Sequence, residues 1–518
     1  MTELVAQIGI DMQAFHRRAF LKLAGLLAVG IPLAGVCAEG RTKRTDRPNI
    51  LLILIDDMSW SGPSCYGNKL VDTPNIDRLA SRGMKFTSAY VTPSCSPTRT
   101  ELLSGRHSAR MHITRALPGL PSKYPWARHK GPILSRGIPF SARTLAEAFK
   151  DQGYRTAHLG KWHVGMSYTA QKPRQMENVR GEFGFDHTFH GFSSFHRDKS
   201  VTALTDEAIR FLGKDDEKPF FVYLAHQTVH THCAAPGDIV KQYLTEKRKP
   251  SGGFPHEGIN NATYLAMIKH LDNETGRLLK AIEETGLDKN TIVVFLSDNG
   301  GATRVTTNGP LRRGKCTSYE GGIRVPMLVS WPGVIRAGSV CDQAVHASLD
   351  LYPTLLGAAG GQKKKGQVLD GKSLMPLLKE NGVVDRKALF WHAPHYIAHP
   401  GNHFRVTPHS AVRKGDFKLI EFFHDHFEYG EPALTAIKKA ADDYAPYPLD
   451  GARYVPKARI ELFNIKKDIG EQNDLSSEMP EKVAELKELL AHWRKSVGAQ
   501  MPVKNPKFNP EFKKYRKK

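Results

Sequence analysis

The chain has 518 residues, of which 40% are hydrophobic and 24% are charged. This composition excludes a disordered polyelectrolyte, a collagen-like repeat and a small disulfide-rich protein, and the length is sufficient for a large domain with a smaller one beside it. The net charge of +22 leaves nucleic acid, an anionic membrane surface and an acidic substrate as candidate partners.

Residues 1–38 are predicted to be an export signal. Arg17 and Arg18 precede an apolar run over residues 23–36 that is too short to span a bilayer. This order of features is similar to a twin-arginine signal peptide, and small residues around Cys37 supply a cleavage position. We therefore expect an exported protein, periplasmic or secreted, that uses the export machinery and has neither a stable membrane anchor nor a nucleic-acid partner.

Strand and helix patterns alternate through the first 390 residues. Continuous apolar runs, typical of parallel strands buried on both faces, predict strands over residues 49–55, 220–225 and 291–297, and a further strand is predicted over residues 154–159, after a helix. Helices are predicted after Thr73, over residues 144–150 and over residues 262–285. This alternation predicts an α/β domain over residues 48–390 with a large, mostly parallel central sheet.

The pattern changes in the last quarter of the chain. Residues 411–420 contain two strand patterns around a Gly-Asp pair, which predicts an antiparallel hairpin, and residues 483–497 form one amphipathic helix pattern. A smaller α+β subdomain with an antiparallel sheet is therefore predicted over residues 391–499. The strongly basic residues 500–518 are expected to be a solvated tail.

Polar side chains follow two of the predicted buried strands. Asp56 and Asp57 come directly after the first strand, and Asp298 and Asn299 come directly after the last one. Ligands of open α/β sheets gather at the carboxyl ends of the strands, and adjacent carboxylates need a compensating cation. Such oxygen ligands favour Ca²⁺ or Mg²⁺, although each pair alone is also typical of a turn or cap.

Cys95, one of six cysteines, lies at the predicted start of a helix. Pro97 is placed in the first turn, where backbone N–H groups favour an anion, and Arg99 lies one turn after Cys95 on the same face. Such a cysteine is either a reactive group or a small buried hydrophobe. The chain has no CxxC pair, which excludes a zinc ribbon and a thioredoxin-type motif.

These residues resemble the signature of the formylglycine-dependent (type I) sulfatases of the alkaline-phosphatase-like superfamily. The resemblance covers residues 48–498 and rests on motifs that occur in the order of the family. The motifs are residues 56–57 (DD), 95–99 (CSPTR), 103–106 (LSGR), 160–163 (GKWH), 230–231 (HT), 297–300 (SDNG), 314–315 (GK), 319–326 (YEGGIRVP) and 461–475. The chain departs from the family at Thr98, where Ser or Ala is commoner, and at Val229 and His232, where the family has prolines.

The resemblance implies an alkaline-phosphatase-like three-layer α/β sandwich and a sulfatase activity. It implies that a formylglycine-generating maturase oxidises Cys95, and that one hydroxyl of the hydrated aldehyde attacks sulfur to form a covalent sulfate ester. Sulfate then leaves when the second hydroxyl loses its proton and the aldehyde reforms. The implied metal ligands are Asp56, Asp57, modified Cys95, Asp298 and Asn299, and the implied ion is Ca²⁺, with Mg²⁺ as the alternative.

The resemblance assigns the remaining basic motif residues to the sulfate group and its protons. Arg99 is implied to hold the formylglycine hydrate, and Lys161 and Lys315 to hold sulfate oxygens. His163, in a segment expected to be extended, is the implied base for the elimination step. His230 is the implied acid for the leaving alcohol and a substrate ligand, with two neighbouring histidines, at positions 226 and 232, as alternatives.

The basic surface indicates a polyanionic substrate, so the expected substrate is a sulfate monoester on a carbohydrate, such as an algal polysaccharide or a glycosaminoglycan fragment. A histidine-rich stretch before the hairpin is a candidate for sugar recognition through His392, His395 and Arg405, with a loop of solvated histidines as the alternative.

Two other functions remain open on the sequence. A phosphodiesterase or phosphonate monoester hydrolase of the same superfamily would use a similar site. A non-catalytic polyanion-binding relative would be expected to lack part of the set formed by nucleophile, metal ligands and lysines, all of which this chain retains.

Overall fold

The computed structural model of the protein describes residues 47–118, 127–165, 183–191, 197–214, 217–244, 261–303, 305–398, 405–428 and 453–509. The predicted export signal, residues 1–38, and the end of the predicted tail, residues 510–518, lie outside this part of the chain. Within it, no helix combines the length and the apolar composition needed to cross a membrane.

The strands are β1 (Asn49–Ile55), β2 (Met84–Tyr90), β3 (His129–Lys130), β4 (Arg155–Gly160), β5 (His187–Phe189), β6 (Phe220–Ala225), β7 (Thr291–Ser297), β8 (Arg324–Ser330), β9 (Ser339–Cys341), β10 (Val345–His346), β11 (Leu389–Ala393), β12 (Ile397–Ala398), β13 (Arg405–Val406), β14 (His409–Lys414), β15 (Phe417–Phe422), β16 (His426–Glu428), β17 (Arg453–Val455), β18 (Arg459–Asn464) and β19 (Val503–Lys504). The α-helices are α1 (Pro74–Ser81), α2 (Cys95–Ser104), α3 (Leu145–Lys150), α4 (Val201–Leu212), α5 (Gly237–Gln242), α6 (Ala262–Glu284), α7 (Glu320–Ile323), α8 (Ala347–Ala358), α9 (Met375–Leu378) and α10 (Pro480–Ser496).

Nine strands of the described residues form one central sheet. Its order is β10-β2-β8-β7-β1-β6-β4-β5, and β9 pairs with β2. The strands from β7 to β5 run parallel, whereas β8 is antiparallel to both of its neighbours. The predicted large and mostly parallel sheet is therefore confirmed.

A hydrophobic core lies on each face of this sheet. All seven residues of β1 are buried, and successive side chains point to opposite faces. The even-numbered residues 50–54 pack in one core together with residues of α3 and α8. The odd-numbered residues 51–55 pack in the other core with α1, α4 and α6. This arrangement is the predicted three-layer α/β sandwich.

Side-chain caps explain why two of the predicted helices begin where they do. The Thr144 hydroxyl accepts a hydrogen bond from the Glu147 N–H, and the Glu147 carboxylate accepts one from the Thr144 N–H, which forms a capping box for α3. The Asn261 side chain accepts hydrogen bonds from the N–H groups of Thr263 and Tyr264 at the start of α6.

A second, four-stranded antiparallel sheet forms the predicted smaller subdomain. Its order is β11-β14-β15-β18, and β14 and β15 form the predicted hairpin. Leu486 and Leu490 of α10 cover one face. The other face shares a core with the central sheet, in which Trp391 contacts Tyr90 and donates a hydrogen bond to the Val91 carbonyl at 2.9 Å.

Residues 500–505 of the predicted tail are held by hydrogen bonds, although most side chains of residues 500–509 are exposed. β19 pairs with β3, and the Asn505 N–H donates a hydrogen bond to the Arg128 carbonyl at 2.8 Å. The His392 ring bonds to the Gln500 carbonyl at 2.8 Å. Backbone pairing, which charge counts do not reveal, holds this segment against the rest of the protein.

Candidate active site

Four of the five residues implied as metal ligands, those other than Cys95, lie together at one edge of the central sheet. β1 and β7 are parallel neighbours that end side by side, so the residues after them meet. The Asp57 N–H donates to Asp298 Oδ1 at 3.2 Å, and Asn299 Nδ2 donates to Asp57 Oδ1 at 2.7 Å. Asp56 is buried beside them.

Helix α2 brings Cys95 to these carboxylates. Its sulfur lies 3.3 Å from Asp56 Oδ1 and 3.9 Å from Asp57 Oδ1. Burial, reinforced by Asp298 and Asp56, raises the pKa of the Cys95 thiol well above its usual value. The unmodified thiol is therefore protonated at neutral pH, and a protonated thiol is a weak nucleophile.

Arg99, one turn along α2, is completely buried and joins three elements. Its Nε and Nη2 donate to Asp298 Oδ2 at 2.9 and 2.8 Å, and its Nη1 donates to the Lys161 carbonyl at 2.8 Å. Two charge-assisted hydrogen bonds to one carboxylate oxygen restrict the orientation of both side chains. Arg99 thus ties α2 to the ends of β7 and β4.

Two buried lysines pair with the adjacent aspartates. Lys161 Nζ donates to Asp56 Oδ2 at 2.5 Å, and Lys315 Nζ donates to the two oxygens of Asp57 at 2.6 and 2.8 Å. Burial alone would raise the pKa of Asp56, but Lys161 and the other nearby cations hold that pKa well below its usual value. The site is therefore an array of charged pairs shielded from water.

The donor set fits a divalent cation. Asn299 Oδ1 is buried and accepts no hydrogen bond from the described residues, and an unsatisfied buried acceptor costs about 1–3 kcal/mol. It adjoins three buried carboxylates, and oxygen donors of both kinds are the ligands that Ca²⁺ and Mg²⁺ prefer. Four residues form a group that could hold a metal, because each offers one ligand atom and these atoms lie within 4.8 Å of one another: Asp56, Asp57, Cys95 and His230.

His163 lies in this site, but not in an extended segment. The sheet ends before it, and its backbone has a φ of 58°. Its Nε2 bonds to the Leu117 carbonyl at 2.8 Å, so Nε2 carries the hydrogen and the lone pair of the neutral ring is on Nδ1. Burial, followed by the charges of Lys161 and Arg99, lowers the pKa of His163 well below its usual value. A neutral ring suits a base.

His230 is the most exposed side chain of the group. Its Nε2 lies 3.6 Å from Asp57 Oδ2, and 34% of the side chain is exposed. Burial and the nearby Lys315 lower the pKa of His230 to about 4. Of the two alternatives, His226 is buried beside His270 instead.

Lys199 is a part of the site that sequence patterns did not reveal. It lies two residues before α4, is 3% exposed, and donates a hydrogen bond from Nζ to the His230 carbonyl at 2.6 Å. Burial lowers the pKa of Lys199 to about 8, against the opposing effect of Asp56. A lone lysine has no local pattern that would mark it, and only the packing of the chain places it here.

The histidine-rich stretch is not part of this cluster. His392 Nδ1 bonds to Ser410 Oγ at 2.7 Å, and His395 Nε2 bonds to Thr114 Oγ1 at 2.7 Å. Both rings are 4% exposed, so the alternative of a loop of solvated histidines is wrong for them. The Arg405 side chain lies outside the described part of the chain. Substrate binding by these three residues stays a prediction.

Comparisons with known proteins agree with the geometry. A family model described as Sulfatase matches residues 48–361, and one described as N-sulphoglucosamine sulphohydrolase, C-terminal, matches residues 314–434. A protein from Formosa agariphila named Sulfatase is 29% identical to this chain over 544 residues, which cover 89% of this chain and 90% of that protein.

Two further relatives are similar over most of their length. N-acetylgalactosamine-6-sulfatase of Rattus norvegicus is 30% identical over 407 residues, covering 72% of this chain and 71% of the rat protein. Among solved structures, Ps i-CgsB in complex with k-i-k-neocarrahexaose has a TM-score of 0.65 and 26% identity, covering 86% of this chain and 92% of that one.

Proposed function

The chain belongs to the sulfatase family and hydrolyses sulfuric esters, and we propose that its substrate is a sulfate monoester on a carbohydrate. The observation that carries the proposal is a buried site in which Lys161, Lys315 and Arg99 surround Cys95 beside four oxygen-bearing side chains. Two of the similar proteins have names or bound molecules that refer to sugars. The net charge of +22 favours an anionic glycan over a neutral lipid.

We propose that Cys95 is converted to formylglycine by a maturase. Once formed, the hydrated aldehyde supplies a hydroxyl nucleophile and, after sulfate transfer, a second hydroxyl whose deprotonation releases sulfate. The position of Cys95 supports this, because the N-terminus of α2 and the neighbouring cations favour an anion next to it. The unmodified thiol, protonated and 1% exposed, is poorly suited to the same task.

We propose that Asp56, Asp57, Asp298 and Asn299 hold Ca²⁺, with Mg²⁺ as the alternative. Such an ion would neutralise the carboxylates and polarise a sulfate oxygen. Arg99 fixes the orientation of Asp298 through two hydrogen bonds, so it prepares this carboxylate for its role.

The lysines and histidines then have distinct tasks. Lys161 and Lys315 bring ammonium groups to the two aspartates nearest Cys95, where they bind the oxygens of a tetrahedral anion. The Nδ1 atom of His163 accepts a proton, because Nε2 is committed to the Leu117 carbonyl. His230, which lies 3.6 Å from Asp57 and is the most exposed side chain of the group, donates a proton to the leaving alcohol.

A substrate panel tests this function. The protein, produced together with a maturase, is assayed on an aryl sulfate, an aryl phosphate diester, and mono- and oligosaccharides that carry one sulfate ester at a defined carbon. We expect turnover of the aryl sulfate and of a subset of the sulfated sugars, with slower turnover of the phosphate ester. Faster turnover of the phosphate ester would favour the phosphodiesterase alternative, and binding without turnover would favour a non-catalytic relative.

We also propose that residues 1–38 direct export, supported by the adjacent Arg17 and Arg18 before an apolar run. Replacing both arginines by lysine should leave the protein in the cytoplasm, as measured by cell fractionation. Unchanged export of this variant would contradict a twin-arginine signal.

A further inference from the structure

Arg115 is a cation near the active site that forms no ion pair with the described residues. Three cations of the site are each paired with an aspartate, at 2.8 Å for Arg99, 2.5 Å for Lys161 and 2.6 Å for Lys315, and a fourth, Lys199, donates to the His230 carbonyl. Arg115 is half-buried, and no carboxylate among the described residues lies within ion-pairing distance of it. A half-buried charge is less screened by salt than an exposed one, so its interaction with an incoming anion is stronger.

The loop that carries Arg115 is fixed to the catalytic residues. The Leu117 N–H donates to Ser96 Oγ at 2.9 Å, and the Leu117 carbonyl accepts the hydrogen bond from His163 Nε2 at 2.8 Å. Ser96 directly follows the nucleophile position. Arg115 therefore lies two residues from a point that is anchored both to α2 and to the candidate base.

A second anchor lies on the other side of Arg115. Thr114, the residue before it, is buried and bonds through its hydroxyl to His395 Nε2 at 2.7 Å. Burial raises the pKa of Cys316 to about 11, and Arg115, like Lys315, opposes this rise. The Arg115 charge therefore lies close enough to act on Cys316, the residue that follows Lys315.

We propose that Arg115 binds a second anionic group of the substrate, a sulfate or a carboxylate on the sugar that carries the reacting ester or on its neighbour. The inference rests on the proposed carbohydrate substrate. A guanidinium offers paired N–H donors that match both kinds of anion. His395, which touches Thr114 rather than the cluster, then acts as a positioning residue for this contact.

The test compares three disaccharides of one framework. The first carries a single sulfate ester, the second carries an additional sulfate, and the third carries an additional uronic acid carboxylate. The kcat/KM ratio of each doubly charged substrate to the singly charged one is measured for the parent protein and for three variants. Because each ratio comes from one preparation, it does not depend on the fraction of protein that has folded or matured.

We expect the parent to prefer at least one doubly charged substrate. Arg115→Met should lower that ratio about tenfold, mainly through KM, as for the loss of one charge-assisted hydrogen bond. Arg115→Lys should retain part of the preference. The control Arg336→Met removes an exposed arginine beyond the end of β8, at the opposite edge of the sheet, and should leave the ratio unchanged.

The outcomes separate this inference from the proposed function. A parent without preference, or an Arg115→Met variant with an unchanged ratio, overturns the role of Arg115 while leaving the proposed function intact. If the parent turns over no sulfated disaccharide yet hydrolyses an aryl sulfate, the carbohydrate proposal fails, and the inference fails with it. A preference for the second substrate indicates that Arg115 binds a sulfate, and a preference for the third indicates that it binds a carboxylate.

Discussion

Two side chains of this site, Arg99 and Lys199, fix the orientation of other residues. Arg99 holds Asp298, and Lys199 holds the backbone of His230. Neither contact follows from a motif alone: the sequence places Arg99 near Cys95, but its partner lies 199 residues away. Solitary residues such as Lys199 and Arg115 have no periodicity or cap that would mark them, so the sequence does not predict them.

Lys199→Met is expected to impair the protonation of the leaving group. Without its hydrogen bond to the His230 carbonyl, the segment that carries His230 loses a fixed point. The kcat for an alkyl sulfate, whose alcohol must be protonated as it leaves, should fall about tenfold or more. The kcat for a nitrophenyl sulfate, whose leaving group needs no proton, should change little.

Comparing the alkyl sulfate with the nitrophenyl sulfate distinguishes a displaced His230 from a general loss of folded structure. Lys199→Arg, which keeps a donor, should recover part of the alkyl sulfate activity. An equal loss on both substrates would show that Lys199 supports the structure rather than the position of His230.

His392 should make the stability of the protein depend on pH. Burial lowers the pKa of His392 to about 3, below the unfolded value of about 6.5. The folded state therefore favours the neutral ring, and the stability that this provides is present above pH 6.5 and is lost as the pH falls. At pH 5 the loss is about 2 kcal/mol.

Urea unfolding at pH 7.5 and pH 5 measures this effect. The parent should lose about 2 kcal/mol more than His392→Gln between the two pH values, because the variant has no ring to protonate. Equal losses would show that His392 is not held neutral in the folded protein.

Among the strands, those with a clear apolar pattern in the sequence were predicted most accurately. β1, β6 and β7 have the predicted bounds because continuous apolar runs mark strands buried on both faces. The sequence did not predict β2, whose buried and half-buried residues are mixed, or β8, which contains Pro326. These two strands place the antiparallel part of the sheet next to the smaller subdomain.

A buried lysine joins the smaller subdomain to the central domain. Lys418, on β15, is completely buried and lies 2.7 Å from Glu320 and 2.6 Å from Glu471. The hairpin was predictable from the alternation of its residues, but this network was not, because its members are distant in sequence. Burial and the charge of Glu320 raise the pKa of Glu471 to about 7, although Lys418 acts against the rise.

Lys418→Met is expected to destabilise the protein by about 3–5 kcal/mol, because it leaves the buried Glu471 carboxylate without its cation, whereas Glu320 keeps Arg324 at 3.3 Å. Urea unfolding measures the change. Lys414→Met, on the neighbouring strand, removes an exposed lysine that pairs with Glu485 at 2.7 Å and should cost less than about 1 kcal/mol. Similar effects of the two substitutions would show that the Lys418 network contributes no more than a surface pair.

For the whole molecule, the excess positive charge should act on long substrates. The net charge of +22 belongs to the whole molecule, so it attracts a long sulfated polymer more strongly than a small ester. Raising the salt concentration from about 0.05 M to about 0.5 M shortens the screening length several-fold. The kcat/KM for a sulfated polysaccharide should then fall more steeply than that for an aryl sulfate, and parallel falls would contradict a role for the surface charge.

Sulfate ester hydrolysis by this protein depends on Cys95 as the source of the nucleophile. The direct measurement is aryl sulfate turnover by the parent and by Cys95→Ala, each produced with and without a formylglycine-generating maturase. We predict sulfate release only for the parent produced with the maturase, together with an aldehyde at position 95 in the peptide mass spectrum. Turnover by Cys95→Ala, or by a parent that retains the thiol, would contradict the account.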